Sequence, residues 1–345
     1  MAALLDAPAY RRFLSETHPE LAIDDARLGG VPSFLAPLDV REPLRVGPAR
    51  RAMELLRTCA PALVTPPALF LGTPFERYDQ SHLLREMPDV FELTDRVDAA
   101  SRRHRREVAV LTNVRPSAVP LERWRAAGWW SLPSFPDTVV HLATPDFEAH
   151  LKTLPQGDRS GIRRNIRKFE RAGHVLERIR DAAGLGDPIY ACYRPFFERA
   201  TVRWQPHTLE YFAKLTELGD DVRLHVARSR EGELIGFVVS FRDVEGFQAG
   251  RIGVHPDYYR RDAVYFRLLY HVLEEALEER KGGGMLSLEP TGYRMKRHLG
   301  AEKVPLVNLV RGISETWSIL LGQLGGLGAL MLRHLEDRAT LERLY

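Results

Sequence analysis

Arg159, Arg163, Arg167 and Arg171 recur every four residues, with Arg164 and Lys168 beside them. On a helix this spacing gathers all six cations on one broad face and turns Ile162, Ile166 and Phe169 the other way. Like charges four residues apart repel by about 0.2–0.5 kcal/mol per pair, so the stripe costs stability unless something anionic meets it. The chemistry it suits is polyanion binding. A second basic cluster, Arg102, Arg103, Arg105 and Arg106 with Arg96 before it, repeats the signal. The plain alternative for the stripe is a solvated face partly neutralised by Glu170 and Glu177. The spacing predicts a helix over 159–172, with Asp158 as its N-cap and Gly173 as its stop.

The stretch 247–277, FQAGRIGVHPDYYRRDAVYFRLLYHVLEEAL, carries the other signal. Residues 247–254 read as a strand, which Val254-His255-Pro256 ends because proline lacks a ladder donor and restricts its predecessor. From Asp262 onward, Val264, Leu268, Leu269, Val272, Leu273, Ala276 and Leu277 have the spacing of an amphipathic helix. Strand, turn and helix N-terminus together point backbone N–H groups outward, where a polar ligand can meet them.

This segment resembles the central strand–loop–helix of the GNAT (GCN5-related N-acetyltransferase) superfamily, V-x-P followed by R/Q-x-x-G-x-G/A. Val254, Pro256 and Arg260 match, whereas Ala263 and Tyr265 stand at the two glycine positions. In that family the loop amides hold the pyrophosphate of coenzyme A. Glycine permits the close approach, and a tyrosine side chain obstructs it. The resemblance therefore implies the fold while departing at the coenzyme loop, and no cofactor or metal is expected.

The elements around the motif follow the same order. Residues 222–227, 234–240 and 247–254 read as successive antiparallel strands, followed by the long helix, a strand at 285–288, a short helix at 294–299 and a strand at 304–310. Tyr293 through Gly300 resembles the late Y-x-x-x-G part of the fold. Upstream, 189–203 and 208–218 read as helices. A weaker α/β alternation precedes them: an edge strand at 31–38 limited by Pro32 and Pro37, a helix at 49–59, a strand at 68–72, a helix at 89–106, a strand at 107–114, a helix at 121–128 and a strand at 138–142.

The expected fold class is α/β, a GNAT-like, mostly antiparallel mixed sheet flanked by helices, in two tandem lobes. The boundaries are a helical extension at 1–28, a degenerate lobe at 29–150, an acyltransferase lobe at 151–312 opened by the basic helix, and a helical tail at 313–345. Two such halves joined near a basic helix resemble the Fem family of aminoacyl-tRNA-dependent transferases. That resemblance implies transfer of an aminoacyl group from charged tRNA to an amine.

Either an ester or a thioester donor needs an amine held within about 3–3.5 Å of the carbonyl. A route for the amine proton is needed too, for which His255, Glu289 and Tyr293 are the catalytic candidates. Each has a plainer role open to it: a turn cap, a strand end, a packed ring. Charged tRNA asks for basic surface and aromatic stacking at its single-stranded end. Trp204, Tyr211, Arg251, Tyr258, Tyr259, Tyr265 and Lys296 are the substrate-binding candidates. The tRNA candidates are Arg102, Arg103, Arg105, Arg106, Arg159, Arg163, Arg164, Arg167, Lys168 and Arg171. An acyl-CoA-dependent N-acyltransferase and a non-catalytic nucleic-acid-binding module remain the alternatives. The expected partners are an aminoacyl-tRNA donor and a small-molecule or peptide amine acceptor.

With 345 residues and 28% charged residues, the composition is that of a globular chain long enough for two domains. Cys59 and Cys192 are the only cysteines, so a disulfide framework or thiolate metal site is not expected and a cytoplasmic location is. The apolar run 316–332 falls short of a membrane span and carries the pair Gly322 and Gly326; it reads as a docked helix or oligomer contact rather than a membrane segment.

Overall fold

The computed structural model describes residues 8–19, 21–28, 31–38, 48–73, 79–85, 89–199, 206–242, 246–290 and 292–322. In chain order, α1 is Pro8–Thr17, β1 Ala22–Leu28, β2 Val31–Pro37, α2 Pro48–Cys59, α3 Pro61–Val64, β3 Pro67–Leu71, α4 Val90–Arg103, β4 Val108–Val114, α5 Leu121–Ala126, β5 Trp130–Pro133 and β6 Asp137–His141. Then come α6 Phe147–Thr153, α7 Gln156–Arg171, β7 Val175–Ile179, α8 Gly186–Arg199, α9 Leu209–Lys214, β8 Val222–Arg228, β9 Leu234–Arg242, β10 Gly246–Val254, α10 Val264–Arg280, β11 Met285–Ser287, α11 Tyr293–Arg297, β12 Glu302–Val304 and β13 Val307–Gly312.

Two compact units result, one of Met1–His18, Thr138–Glu289 and Tyr293–Lys303, the other of Pro19–Asp137, Pro290–Gly292 and Val304–Tyr345. The first holds a seven-stranded sheet, β12-β6-β11-β10-β9-β8-β7, and the second a six-stranded sheet, β1-β2-β3-β4-β13-β5. Both are mixed and mostly antiparallel; β10 pairs with β11 and β3 with β4 in parallel.

The seven-stranded unit packs α10 on the sheet. Val264, Leu268, Leu269, Val272, Leu273, Ala276 and Leu277 are all buried, as their spacing predicts. Truncating one of these leucines to alanine costs about 2–5 kcal/mol, through lost transfer energy and the cavity left behind. The six-stranded unit has its own core, built on Leu69, Leu93, Val97, Leu111, Trp129 and Leu309.

Several elements differ from the sequence expectation. Residues 22–28 form strand β1 rather than continuing a helical extension. β2 lies between β1 and β3 rather than at an edge. Its prolines are tolerated because Pro32 falls where the β1 register shifts and Pro37 lies beyond the last β1 pair. The strand expected to close the second lobe divides: β12 joins the seven-stranded sheet and β13 the six-stranded one, between β4 and β5. Conversely β6 leaves the first lobe's strands and pairs with β11. The basic helix starts at Gln156 after Pro155, and Asp158 sits inside its first turn, bonded to His298 Nδ1 at 2.5 Å, instead of capping it. Gly173, at φ +75°, stops it as expected.

Candidate functional site

The site begins where two strands stop pairing. β10 and β11 run parallel over Gly246, Gln248 and the residue between them, opposite Met285 to Ser287, and the ladder ends there. β10 continues to Val254 with a bulge against β9 between Ala249 and Ile252. A bulge re-aims the side chains it carries. The chain leaving β11 stays with β6 through Leu288 N–H donating to Thr138 O at 2.7 Å, and Glu289 takes a left-handed φ of +62°. A wedge opens between the two strands, and charged side chains bridge it.

Glu289 accepts from Arg251 Nη1 at 3.1 Å and from Gln248 Nε2 at 3.3 Å. Arg251 Nε donates to His207 Nε2 at 2.8 Å. That donor requires a lone pair on Nε2, so His207 is the neutral tautomer with its proton on Nδ1. Burial holds the His207 pKa well below its ordinary value, with the Arg251 charge and His18 pushing the same way. The His207 ring stacks on Tyr211 at 4.0 Å and its backbone N–H donates to Tyr193 Oη at 2.9 Å. His18 lies edge-on at 5.4 Å, lowered to about 4 by burial and then by Arg251.

Lys296 is buried and its ammonium donates to Leu288 O at 2.6 Å and Glu289 O at 2.9 Å, locking the turn after β11. Thr138 Oγ1 donates to the same Glu289 carbonyl. Burial raises the Glu289 pKa above the usual carboxylate range, while Arg251, Lys296 and Gln248 pull it back. The Glu289 side chain keeps 16% exposure and Arg251 24%, so the pair borders the surface. A raised carboxylate beside a partly open gap has the character of a proton acceptor for a neutralising amine.

The structure thus brings together Glu289, Arg251, Lys296 and Tyr211 of the sequence candidates. Tyr293, at the start of α11, is buried with Lys303 Nζ 4.4 Å over its ring. His255 stands apart: its Nδ1 accepts from Asp257 N–H at 3.4 Å and caps the short turn Pro256–Tyr258. The rings of Tyr258, Tyr259 and Tyr265 have partners within the chain. Tyr258 lies 5.7 Å from His174, Tyr259 is under Arg199 at 4.3 Å and Tyr265 stacks on Phe196 at 5.7 Å. Trp204 lies outside the described residues. His207, Gln248 and His18 were absent from the sequence candidates. Gln248 had a signal, being polar within a run that reads as buried strand; His207 and His18 had none.

The loop before α10 carries consecutive left-handed residues, Asp262 at φ +58° and Ala263 at φ +57°. Ala263 therefore adopts the conformation for which glycine is suited, and no side chain caps the helix behind it. The Asp262 carboxylate, 3.2 Å from both His174 Nε2 and Arg261 Nε, faces a cleft of about 480 Å³. Arg164, Arg167, Lys168 and Arg171 of α7 line its other side with Ala172. All four cations are exposed, as is Arg163, which bonds Glu148 at 2.6 Å. Arg159 is half-buried, and Arg102, Arg103 and Arg105 are exposed with Arg106 half-buried in the other unit.

Residues 156–288, from the first residue of α7 to the end of β11, match the family model of the acetyltransferase (GNAT) domain. The chain carries a GNAT domain. Its two-sheet architecture is Fem-like: the crystal structure of FemX superposes with a TM-score of 0.58 at 9% identity, over 92% of this chain and 96% of that one. The C-terminal domain of a putative lysylphosphatidylglycerol synthetase from Agrobacterium fabrum superposes with a TM-score of 0.51 at 11% identity, over 88% and 86%. At these identities the likeness is one of fold. No curated protein matches by sequence.

Proposed function

We propose that the protein forms amide bonds by moving an aminoacyl group from a charged tRNA to the amine of a small-molecule or peptide acceptor. The observation that carries this reading is the cleft between α7 and the α10 loop, where four exposed cations face the point at which a GNAT domain receives its donor. A donor with a long phosphate backbone suits a stripe of that length, and binding would be salt-dependent. The Fem resemblance and the synthetase named among the structural neighbours support the same donor class.

In the transfer, the acceptor nitrogen attacks the ester carbonyl and the carbon–oxygen bond to the terminal ribose breaks. Glu289 takes the amine proton and returns it to the ribose oxygen. Arg251 and Gln248 hold the carboxylate in place, and the β10 edge beyond Gln248, free of the β11 ladder, offers backbone N–H donors to the developing oxyanion. Water is excluded on the His207 side by the packed rings of Tyr193, Tyr211 and Phe212.

A second reading, acyl transfer from coenzyme A, draws on the uncapped α10 N-terminus and the left-handed Ala263, which keep the shape of a phosphate loop. Against it stand the Asp262 carboxylate at the cleft and a tyrosine at the second glycine position. A gel shift with total tRNA at two salt concentrations, run beside a calorimetric titration with coenzyme A, separates the two. The tRNA reading expects a salt-sensitive shift and no coenzyme heat. Coenzyme binding without a shift would replace it.

A further inference from the structure

Helix α2, Pro48–Cys59, presents its apolar side to solvent. Leu55 is 72% exposed, the most exposed large apolar side chain among the described residues, and its neighbour Leu56 is 38% exposed. Cys59, one turn after Leu55, is exposed too, and Met53 is half-buried. Leu55 with Cys59 and Met53 with Leu56 are spaced to share one side of the helix, while Arg51, Glu54 and Thr58 fall on another. Arg51 and Arg57, at the borders of the apolar side, are exposed. Over the helix Arg50, Arg51 and Arg57 oppose the single acid Glu54, a net charge of +2.

A soluble helix normally turns its apolar stripe to the core; α2 turns it to water. Such a face is stabilised only when something covers it. We propose that α2 is a surface-lying anchor for anionic phospholipid, with Leu55 and Leu56 entering the headgroup–acyl boundary and Arg51 and Arg57 meeting lipid phosphates. Charge selects this occupant over a second copy of the chain: an isologous contact through the apolar side would bring its bordering cations, Arg51 and Arg57, against those of the other copy. The helix lies on the surface and does not span it, since no described helix is long and apolar enough to cross a membrane. This departs from the sequence expectation of no membrane partner, and it stands whether or not the protein uses tRNA.

The test is co-sedimentation of the full chain with vesicles of phosphatidylcholine alone and of phosphatidylcholine mixed with phosphatidylglycerol. The expected result is binding to the mixed vesicles only, weakened by salt. Leu55→Glu with Leu56→Glu should lower the affinity by about tenfold or more while the melting temperature and the tRNA gel shift stay unchanged. Arg51→Ala with Arg57→Ala should erase the preference for phosphatidylglycerol. Three results would overturn the proposal: no vesicle binding by the native chain, undiminished binding by the double glutamate variant, or a dimer in the ultracentrifuge that the variant abolishes. The second would hand the lipid contact to another basic surface, and the third would make α2 a protomer interface.

Discussion

Arg251 Nη1 lies 3.1 Å from Glu289 Oε2 across the gap where β10 and β11 part, and Arg251 Nε is held 2.8 Å from His207 Nε2. The arginine is fixed at both ends of its guanidinium, so the carboxylate it faces is fixed too. Burial raises the Glu289 pKa and Arg251 lowers it. As a base, Glu289 works only above its pKa, so the acid limb of kcat/KM should lie above the ordinary carboxylate range. Arg251→Met removes the lowering charge and should move that limb to higher pH. Glu289→Gln should cut kcat by about 10²–10⁴-fold with tRNA affinity unchanged. A kcat within about threefold of native would take the proton-transfer role away from Glu289.

The arginine stripe makes a graded prediction. Arg164, Arg167 and Lys168 line the cleft, whereas Arg163 is bonded to Glu148 at 2.6 Å. Each phosphate contact contributes about 0.7–0.9 to the slope of log affinity against log salt. Replacing Arg164, Arg167 and Lys168 with alanine should lower that slope by about 2–3 and abolish transfer, and Arg163→Ala alone should change it by less than one contact's worth. Equal effects from both variants would mean that the cleft is not where the nucleic acid lies.

The α7 stripe and the α10 helix were legible because each is a long period of one residue type, and the helix period is the strongest signal in a lone sequence. The site was legible in part. Glu289 and Arg251 were visible as charged residues next to motif strands. His207, 44 residues before Arg251 in a connection without period, reaches it only through tertiary packing. The exchange of β6 and β13 between the two sheets had no signature, because a short strand's own residues do not say which sheet it joins. Likewise Pro32 argued for an edge strand, and a register shift against β1 removed the need for its missing donor.

Ala263 makes a prediction about stability and about the donor together. Its left-handed φ of +57° costs a non-glycine residue about 1–2 kcal/mol. Ala263→Gly should therefore hold or raise the urea midpoint, although glycine elsewhere in such a helix start would lower it. The variant should leave coenzyme A binding undetectable by calorimetry, because the Asp262 carboxylate still faces the cleft. Tight coenzyme binding by the native chain or by this variant would favour acyl-CoA as donor.

His225 predicts how the seven-stranded unit responds to acid. Burial, with His271, Arg178 and Arg223 adding to it, lowers its pKa from 6.5 to about 3. Glu275, 3.7 Å away, does not offset this because Arg223 Nη1 already holds it at 2.8 Å. In the unfolded chain the imidazole regains its ordinary affinity, so between pH 6.5 and about 3 the unfolded state binds more protons than the folded one. The stability tied to a neutral His225 is complete above pH 6.5 and is lost as the pH falls, by about 1.4 kcal/mol per pH unit. His18, lowered to about 4, adds a second loss of the same sign over its narrower window. Urea unfolding at pH 7 and pH 5 should show this fall, and His225→Gln should reduce the pH slope by about one proton's worth while costing stability at neutral pH. An unchanged slope in that variant would mean that His225 keeps its proton in the folded protein, paired with Glu275.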